Sequence, residues 1–232
     1  MTKLDQHETR ALQRHISLLA KLSAQNPIIF DVGAHDGKSA VAYLDLEPTA
    51  RVIAFEPNVD LLASLQALEQ ERLTVIPKAV GVGSSTAILK VRKDSRVSSL
   101  LDVDPQLSVR SSHYDLVDSR NVERISIDEF IEEKKSPVPQ LLRIGTKGSE
   151  LSVLQSAEGS LREGGILIVA CEIYFGTAFI DQPKAHEVMA FLADYGYSLY
   201  GFDRLVEASS GALYFGNALF LSTNAWRKLG IL

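Results

Sequence analysis

The chain has 232 residues, of which 46% are apolar, and its 24 Lys and Arg against 29 Asp and Glu give a net charge of -5. This length and composition are typical of a globular domain with a large core, and the acidic balance disfavours a nucleic-acid partner. The single cysteine, Cys171, excludes an intrachain disulfide, and no apolar stretch reaches the roughly 18 residues of a membrane span, so we expect a cytoplasmic protein.

The first 26 residues predict an N-terminal helical extension. Apolar residues recur at helical spacing between positions 4 and 24, and Asn26-Pro27 ends the helix, because the residue before a proline avoids the α conformation. We expect this helix to pack across one edge of a single domain that spans residues 27–232.

Short apolar runs alternate with amphipathic segments in the next eighty residues. Strands are predicted at 28–32, 51–56 and 73–76, with helices at 38–46 and 60–69 between them. This alternation favours parallel strands joined by right-handed crossovers. Residues 86–91 alternate in polarity and indicate an antiparallel strand, whereas the polar residues 102–120 indicate a loop or a mobile lid.

The same rhythm resumes after residue 121. Strands are predicted at 122–127, 141–144 and 165–172, with a helical turn capped by Asp128 and helices at 150–161 and 185–195. The last strands, 197–202 and 213–221, flank a Gly- and Ser-containing turn and predict a hairpin. The expected fold class is α/β, with a seven-stranded, mostly parallel sheet, an antiparallel last strand and helices on both faces.

The turn after the first strand is the first functional signal. Asp31, Gly33 and Gly37 follow the spacing D-x-G-x-x-x-G, which differs from the dinucleotide fingerprint G-x-G-x-x-G. The glycines allow a ligand to approach the backbone, and the following helix offers free N–H groups. A carboxylate at the strand end suits a cationic ligand better than a pyrophosphate. The alternative interpretation is an ordinary strand-to-helix turn.

Glu56, at the end of the second strand, is the second signal. A carboxylate at this place can accept both ribose hydroxyls of an adenosine. The alternative is a helix-cap carboxylate, because Pro57-Asn58 begins the next helix. Together with Asp31 it predicts a site for an adenosyl ligand, with the two carboxylates facing one hollow.

Several motifs in order resemble the FkbM family of S-adenosylmethionine-dependent methyltransferases. They are Asp31–Gly37, Phe55–Asn58, Lys78–Val80, Ser98–Leu100, Ile125–Phe130, Leu142–Leu154, Glu172 and Asn217–Phe220. The resemblance covers about residues 28–221. It implies a Rossmann-like class I methyltransferase fold, S-adenosylmethionine as cofactor, and methyl transfer to a hydroxyl of a small metabolite, sugar or glycan precursor. No metal site is expected, and the oligomeric state stays open.

The resemblance, together with the predicted positions of the residues, suggests roles for individual residues. Those expected to hold the cofactor are Asp31, Gly33, Ala34, His35 and Gly37 around the methionine end, Glu56, Pro57 and Asn58 at the ribose, and Ala79 and Val80 at the adenine. Those expected near the acceptor are Ser98, Ser99, His113, Tyr114, Gly145 and Lys147. Glu172 is the first candidate for a general base, ahead of His35, Asp36 and His113. The alternative for Glu172 is a hydrogen-bonded structural carboxylate.

The end of the fourth parallel strand departs from the family pattern. Gly145 stands where an aspartate is usual, Arg143 replaces a lysine, and Ser149 takes a position that is usually apolar or aromatic. A carboxylate at position 145 could orient the acceptor, take a proton or bind a metal. Two functions therefore stay open, an O-methyltransferase with adapted acceptor use and a catalytically impaired S-adenosylmethionine-binding module that acts as a sensor or partner.

Overall fold

The computed structural model describes residues 4–68 and 70–231. Within these ranges the helices are α1 (Gln6–Lys21), α2 (Lys38–Leu46), α3 (Val59–Gln66), α4 (Pro105–Arg110), α5 (Ile127–Lys134), α6 (Glu150–Gln155), α7 (Glu158–Arg162), α8 (Ala185–Asp194) and α9 (Thr223–Lys228). The strands are β1 (Ile28–Val32), β2 (Arg51–Phe55), β3 (Leu73–Ile76), β4 (Ala79–Val80), β5 (Ser85–Arg92), β6 (Leu116–Ile125), β7 (Leu141–Ile144), β8 (Ile168–Tyr174), β9 (Tyr197–Glu207) and β10 (Leu213–Ser222).

The main sheet has seven strands in the order β3-β2-β1-β7-β8-β10-β9. Strand β1 pairs in parallel with both β2 and β7, and β10 runs antiparallel to β8 and β9. The expected α/β fold with an antiparallel last strand is thereby confirmed. The strand order reverses between β1 and β7, and ligands of open α/β sheets bind outside the carboxyl ends of the strands at such a point.

Apolar cores cover both faces of this sheet because successive strand residues point to opposite sides. On one face Phe30, Phe55 and Phe130 pack edge to face, with ring centroids 5.0 to 5.8 Å apart. On the other face the α1 helix buries Leu12 and Leu19 against α2 and the sheet. The expected N-terminal helix thus shares the core with the sheet and also contacts the edge strand β9.

The stretch 102–120, predicted as a loop or lid, is instead largely regular. It contains α4, a 3₁₀ turn at Ser112–Tyr114 and the first half of β6, the central strand of a small sheet β4-β6-β5. Strand β6 is polar and mostly exposed, so its sequence lacks the apolar alternation that marks a strand. The antiparallel pairing of β5 with β6 agrees with the predicted strand at 86–91.

Several predicted helix and strand boundaries are wrong. Ser126, not Asp128, caps α5, since Asp128 accepts backbone N–H bonds from Gly159 and Ser160 instead. The predicted helix at 150–161 is divided into α6 and α7, and the strand predicted at 165–172 lies at 168–174. The predicted helix end at Glu69, residues 1–3 of the extension and Leu232 lie outside the described residues.

Among the residues described, none of the helices combines the length and the apolar character that a bilayer crossing requires.

Candidate functional site

An open cavity of about 600 Å³, including its mouth, lies at the carboxyl ends of β1, β2 and β7. The small sheet and the segment after β5 form its opposite wall. The lining includes these residues that the sequence predicts for the cofactor or the acceptor: Gly33, His35, Glu56, Pro57, Asn58, Ala79, Val80, Ser98, Ser99, Gly145 and Lys147. The cavity thus lies where an open α/β sheet binds its ligand.

The turn after β1 is held against both neighbouring strands. The N–H groups of Gly33 and Ala34 donate to the Phe55 carbonyl at 3.0 and 3.1 Å. Gly33 has a φ of +77°, and a Cβ there would lie 2.6 Å from the carbonyl oxygen of Gly145. Only glycine fits both this backbone conformation and this contact. The turn therefore leaves its backbone open to a ligand at the cavity floor.

Glu56 presents a carboxylate with spare acceptor capacity. Its Oε2 accepts the His35 N–H and its Oε1 accepts the Asn58 N–H, each at 2.8 Å. Each carboxylate oxygen can accept a further hydrogen bond. Burial, which leaves the residue 7% exposed, raises the pKa of Glu56, and the two N–H groups oppose that rise. The side chain that caps α3 belongs to Asn58, whose Oδ1 accepts the Asp60 N–H, so Glu56 is not the cap.

His35 joins the β1 turn to the segment after β5. Its φ is +53°, and its Nε2 shares a hydrogen bond of 2.8 Å with Ser95 Oγ. Burial lowers the pKa of His35, although the neighbouring Asp36 opposes this. A neutral imidazole that is fixed to Ser95 serves as part of the cavity wall.

The lining of the cavity does not include Asp31, whose side chain points to the sheet face covered by α1 and α2. The residue is 0% exposed, its Oδ1 accepts a hydrogen bond from Arg143 Nη1, and its Oδ2 has no partner among the described residues. Asp31 and Arg143 are register partners on β1 and β7. Glu56 lines the cavity and Asp31 does not, so the two carboxylates do not face one hollow as expected.

Two further residues of the β1 turn lie behind the lining. Ala34 is buried in the core on the α2 side. Gly37, with a φ of +76°, begins α2, and a Cβ there would lie 2.6 Å from a Leu65 methyl. Both shape the turn without reaching the cavity.

Glu172 is not placed as a general base. Lys147 Nζ donates to its Oε1 at 3.0 Å and to its Oε2 at 2.9 Å, and the Tyr174 hydroxyl also donates to it. Burial alone would raise the pKa of Glu172, but the Lys147 charge and these hydrogen bonds outweigh it and hold the pKa below its ordinary value. A carboxylate of low pKa is a weak base at neutral pH. Its structural effect is to fix Lys147, which lines the cavity.

The Lys147 backbone is fixed as well. Its φ of +56° lies in the left-handed region that few non-glycine residues adopt, and its carbonyl accepts the Ser99 hydroxyl at 2.6 Å. Such backbone strain persists where surrounding contacts hold it, and it is concentrated at functional sites. The structure thus brings together Ser99 and Lys147, two residues predicted to lie near the acceptor.

Glu150 supports the site from behind the cavity lining, a role that the sequence analysis did not give it. It is fully buried, and its carboxylate accepts the Gly148 N–H at 2.9 Å and the Thr146 hydroxyl at 3.3 Å. Burial, followed by the charge of Glu172, raises the pKa of Glu150 to about 7. Because Thr146 and Ser149 line the cavity, Glu150 holds one cavity wall from behind.

Replacing Glu150 with glutamine is expected to change how stability depends on pH. The folded carboxyl binds its proton more tightly than the unfolded one, so the wild-type free energy of unfolding falls as pH rises from about 4.5 to about 7. Glutamine does not titrate, so the free energy of unfolding of Glu150→Gln does not fall in this way. The difference between variant and wild type is therefore expected to shift in favour of the variant by up to about 3 kcal/mol over that interval. Urea unfolding at a series of pH values measures the difference, with exposed Glu163→Gln as control. A difference that is constant with pH would contradict the assignment.

His113 and Tyr114 are not brought to the cavity. His113 is exposed, with its Nδ1 3.2 Å from an Asp94 oxygen. Tyr114 packs against a separate apolar cluster that includes Val103 and Phe179. Their predicted role near an acceptor therefore receives no support from this arrangement.

Other residues line the cavity although the sequence analysis gave them no contact with the cofactor or the acceptor. They are Val32, Phe55, Lys78, Leu89, Ser95, Arg96, Leu100, Thr146 and Ser149. Arg96 is paired with Asp94 at 2.7 Å, and Lys78 with Glu123 at 2.7 Å. Most of them adjoin a predicted residue in the chain, which is the signal that could have found them.

The described residues fit an adenosyl group. Glu56 supplies oxygens for hydroxyls, Val80, Leu89 and Leu100 supply an apolar wall, and the bare backbone of Gly33 admits close contact. Within residues 4–68 and 70–231, no three His, Cys, Asp or Glu side chains form a group that could hold a metal ion.

Comparison with known proteins gives one family and several relatives. Residues 31–199 match the family described as the methyltransferase FkbM domain. The chain is 27% identical over 178 residues to the hexuronic acid methyltransferase AglP of Haloferax volcanii, which covers 76% of this chain and 68% of that protein. It is 36% identical over 50 residues to the 2-O-methyltransferase NoeI of Sinorhizobium fredii, or 22% of this chain and 21% of that protein.

The chain also aligns with a solved structure, the 1,6-didemethyltoxoflavin-N1-methyltransferase of Burkholderia thailandensis with bound 1,6-didemethyltoxoflavin and S-adenosylhomocysteine. The alignment covers 94% of this chain and 80% of that one, with a TM-score of 0.48 and 12% sequence identity.

Proposed function

This chain belongs to the FkbM methyltransferase family, and we propose that it transfers the methyl group of S-adenosylmethionine to a hydroxyl of a sugar or glycan precursor. The observation that carries the proposal is Glu56, a buried carboxylate fixed by two backbone N–H groups at the cavity wall with acceptor capacity left over. The names of two relatives, a hexuronic acid methyltransferase and a 2-O-methyltransferase, support a sugar hydroxyl as the acceptor.

Residues of the cavity divide between the two ligands. Glu56 would accept the ribose hydroxyls, and Ala79 and Val80 would contact the adenine, while the turn at Gly33 would lie against the rest of the cofactor. S-adenosylmethionine supplies, when bound, a methyl group on an activated sulfonium. The protein's contribution is then to align the acceptor oxygen and exclude water.

Lys147 is the residue best placed to orient the acceptor. Two of the three donors of its ammonium go to Glu172, which leaves one for a ligand in the cavity that the residue lines. A fixed positive charge stabilises an acceptor oxygen as negative charge develops on it. The Ser99 and Glu172 contacts hold this charge in place from both ends of the residue.

Glu172→Gln tests whether Glu172 positions Lys147 or takes a proton. We expect kcat/KM to fall about tenfold, the effect of losing one charged hydrogen bond, with the shape of its pH profile unchanged. The loss of a general base would instead lower it by about 10²–10⁴ and remove the acidic limb of the profile. The measurement is the pH dependence of methyl transfer, and Glu163→Gln is the exposed control.

The test of the function itself is transfer of labelled methyl from S-adenosylmethionine to a panel of neutral and acidic sugars. Label in one or more sugars is the expected result. Absence of cofactor binding in isothermal titration would overturn the proposal.

A second function is favoured by two observations. Position 145 carries no carboxylate, and the carboxylate of Glu172 is already engaged by Lys147. Both fit a module that binds S-adenosylmethionine and acts as a sensor or partner. Cofactor binding without transfer to any sugar of the panel would favour this alternative.

A further inference from the structure

Gly145 leaves a gap in the cavity wall. It lines the cavity, its φ lies outside the left-handed region, and a Cβ there would have only Arg143 Nη1 and Nη2 within 4 Å, both at 3.9 Å. The backbone therefore does not require glycine at this position. The missing side chain therefore leaves room beside a guanidinium group at the edge of the cavity that Gly145 lines.

The Arg143 guanidinium is fixed at the end of this gap. Its Nη1 donates to Asp31, and that is its one hydrogen bond to a residue the structure describes. Burial alone would lower the pKa of Arg143, but the charge and hydrogen bond of Asp31, together with the charges of Tyr43 and Glu8, outweigh burial and hold the pKa above its ordinary value. The side chain stays 28% exposed. A guanidinium has five N–H donors, so most of them are left for a ligand.

We propose that the gap beside Gly145 is a carboxylate-binding subsite in which Arg143 holds the ligand's carboxylate. The two terminal nitrogens lie at equal distances from the position that a Cβ would take, which suits the fork of two parallel hydrogen bonds between a guanidinium and a carboxylate. A phosphate is bulkier and more highly charged, and the neighbouring Asp31 would repel it more strongly.

Two ligands could bring this carboxylate, and both rest on the proposed function. One is the methionine end of the cofactor, and the other is an acceptor that carries its own carboxylate, such as a uronic acid. Both would use the same hydrogen bonds to Arg143, so affinity measurements have to separate them.

The test fills the gap with two side chains of equal size. Gly145→Asp places a carboxylate against Arg143 and Gly145→Asn places an amide there. We expect Gly145→Asp to weaken binding of the carboxylate ligand about 10- to 100-fold and Gly145→Asn to weaken it less, since only the aspartate adds repulsion. Gly211→Asp, at a turn with nothing within 4 Å of its Cβ position, is the charge-matched control and is expected to leave binding unchanged. Arg143→Lys, which keeps a charge beside Asp31 but loses the fork, is expected to weaken binding about tenfold.

Four probes identify the source of the carboxylate by isothermal titration of the intact protein. S-adenosylhomocysteine carries the amino-acid carboxylate and 5′-methylthioadenosine lacks it, while glucuronate and glucose form the same contrast for the acceptor. If the cofactor fills the subsite, Gly145→Asp weakens the binding of S-adenosylhomocysteine and leaves the binding of 5′-methylthioadenosine unchanged. If the acceptor fills the subsite, the variant weakens the binding of glucuronate alone.

The subsite is overturned if folded Gly145→Asp binds S-adenosylhomocysteine and glucuronate as tightly as wild type. Failure of the proposed function has a different signature, because wild type would then bind neither adenosyl probe. In that case glucuronate binding by wild type, and its loss in Gly145→Asp, still tests the subsite. Absence of glucuronate binding as well would overturn both.

Discussion

Gly33→Ala is expected to abolish binding of S-adenosylhomocysteine and to lower the free energy of unfolding by at least about 2 kcal/mol. The new methyl would lie 2.6 Å from the carbonyl oxygen of Gly145, which is backbone and cannot rotate away, on a residue whose φ is +77°. The strands β1 and β7 would have to separate at the cavity floor. Urea unfolding and isothermal titration measure the two effects.

Gly211→Ala separates backbone strain from steric conflict. Gly211 has a φ of +81° and nothing within 4 Å of its Cβ position, so alanine there carries the strain alone. We expect it to cost about 1–2 kcal/mol and to leave ligand binding intact. Equal losses of stability in the two variants would remove the steric argument for Gly33.

Glu56→Ala is expected to lower the affinity for S-adenosylhomocysteine about 10- to 100-fold, the effect of losing about 1.5–3 kcal/mol from charged hydrogen bonds. The variant removes the oxygens proposed for the ribose hydroxyls and leaves the N–H groups of His35 and Asn58 without their present acceptor. Its thermal stability is expected to fall as well, and binding is therefore measured on the folded fraction by titration calorimetry.

Two controls accompany Glu56→Ala. Glu56→Gln keeps the size of the side chain and one carbonyl oxygen, and its affinity is expected to lie between those of wild type and Glu56→Ala. Exposed Glu163→Ala is expected to bind like wild type. An unchanged affinity in Glu56→Ala would exclude Glu56 from the ligand site.

The sequence predicted the first half of the main sheet closely. Residues 28–32, 38–46 and 73–76 have the bounds that the structure gives, because buried parallel strands and amphipathic helices leave clear apolar patterns. The cavity follows from the same logic, since the carboxyl ends of parallel strands meet at one edge. Most of the predicted cofactor residues line it for this reason.

The apolar pattern of the sequence could not predict the small sheet or the ion pairs of Arg143 and Glu172. Strand β6 is stabilised by backbone pairing with β4 and β5 while its side chains stay mostly exposed. The Arg143–Asp31 contact joins residues 112 positions apart, and it depends on the register of β1 against β7. Glu172 was chosen as a base because it ends a strand, but the lysine that pairs with it follows a different strand. Such contacts are set by tertiary packing.

Gly33 and Gly145 are in contact, but they differ in how well they tolerate substitution. Gly33 has no room for any side chain, whereas the position opposite has an ordinary backbone conformation and free volume. We therefore expect substitutions at position 145, unlike those at position 33, to change ligand preference without disturbing the turn after β1. Of two residues in contact, one is thus fixed by the architecture of the turn and the other is free to vary in evolution.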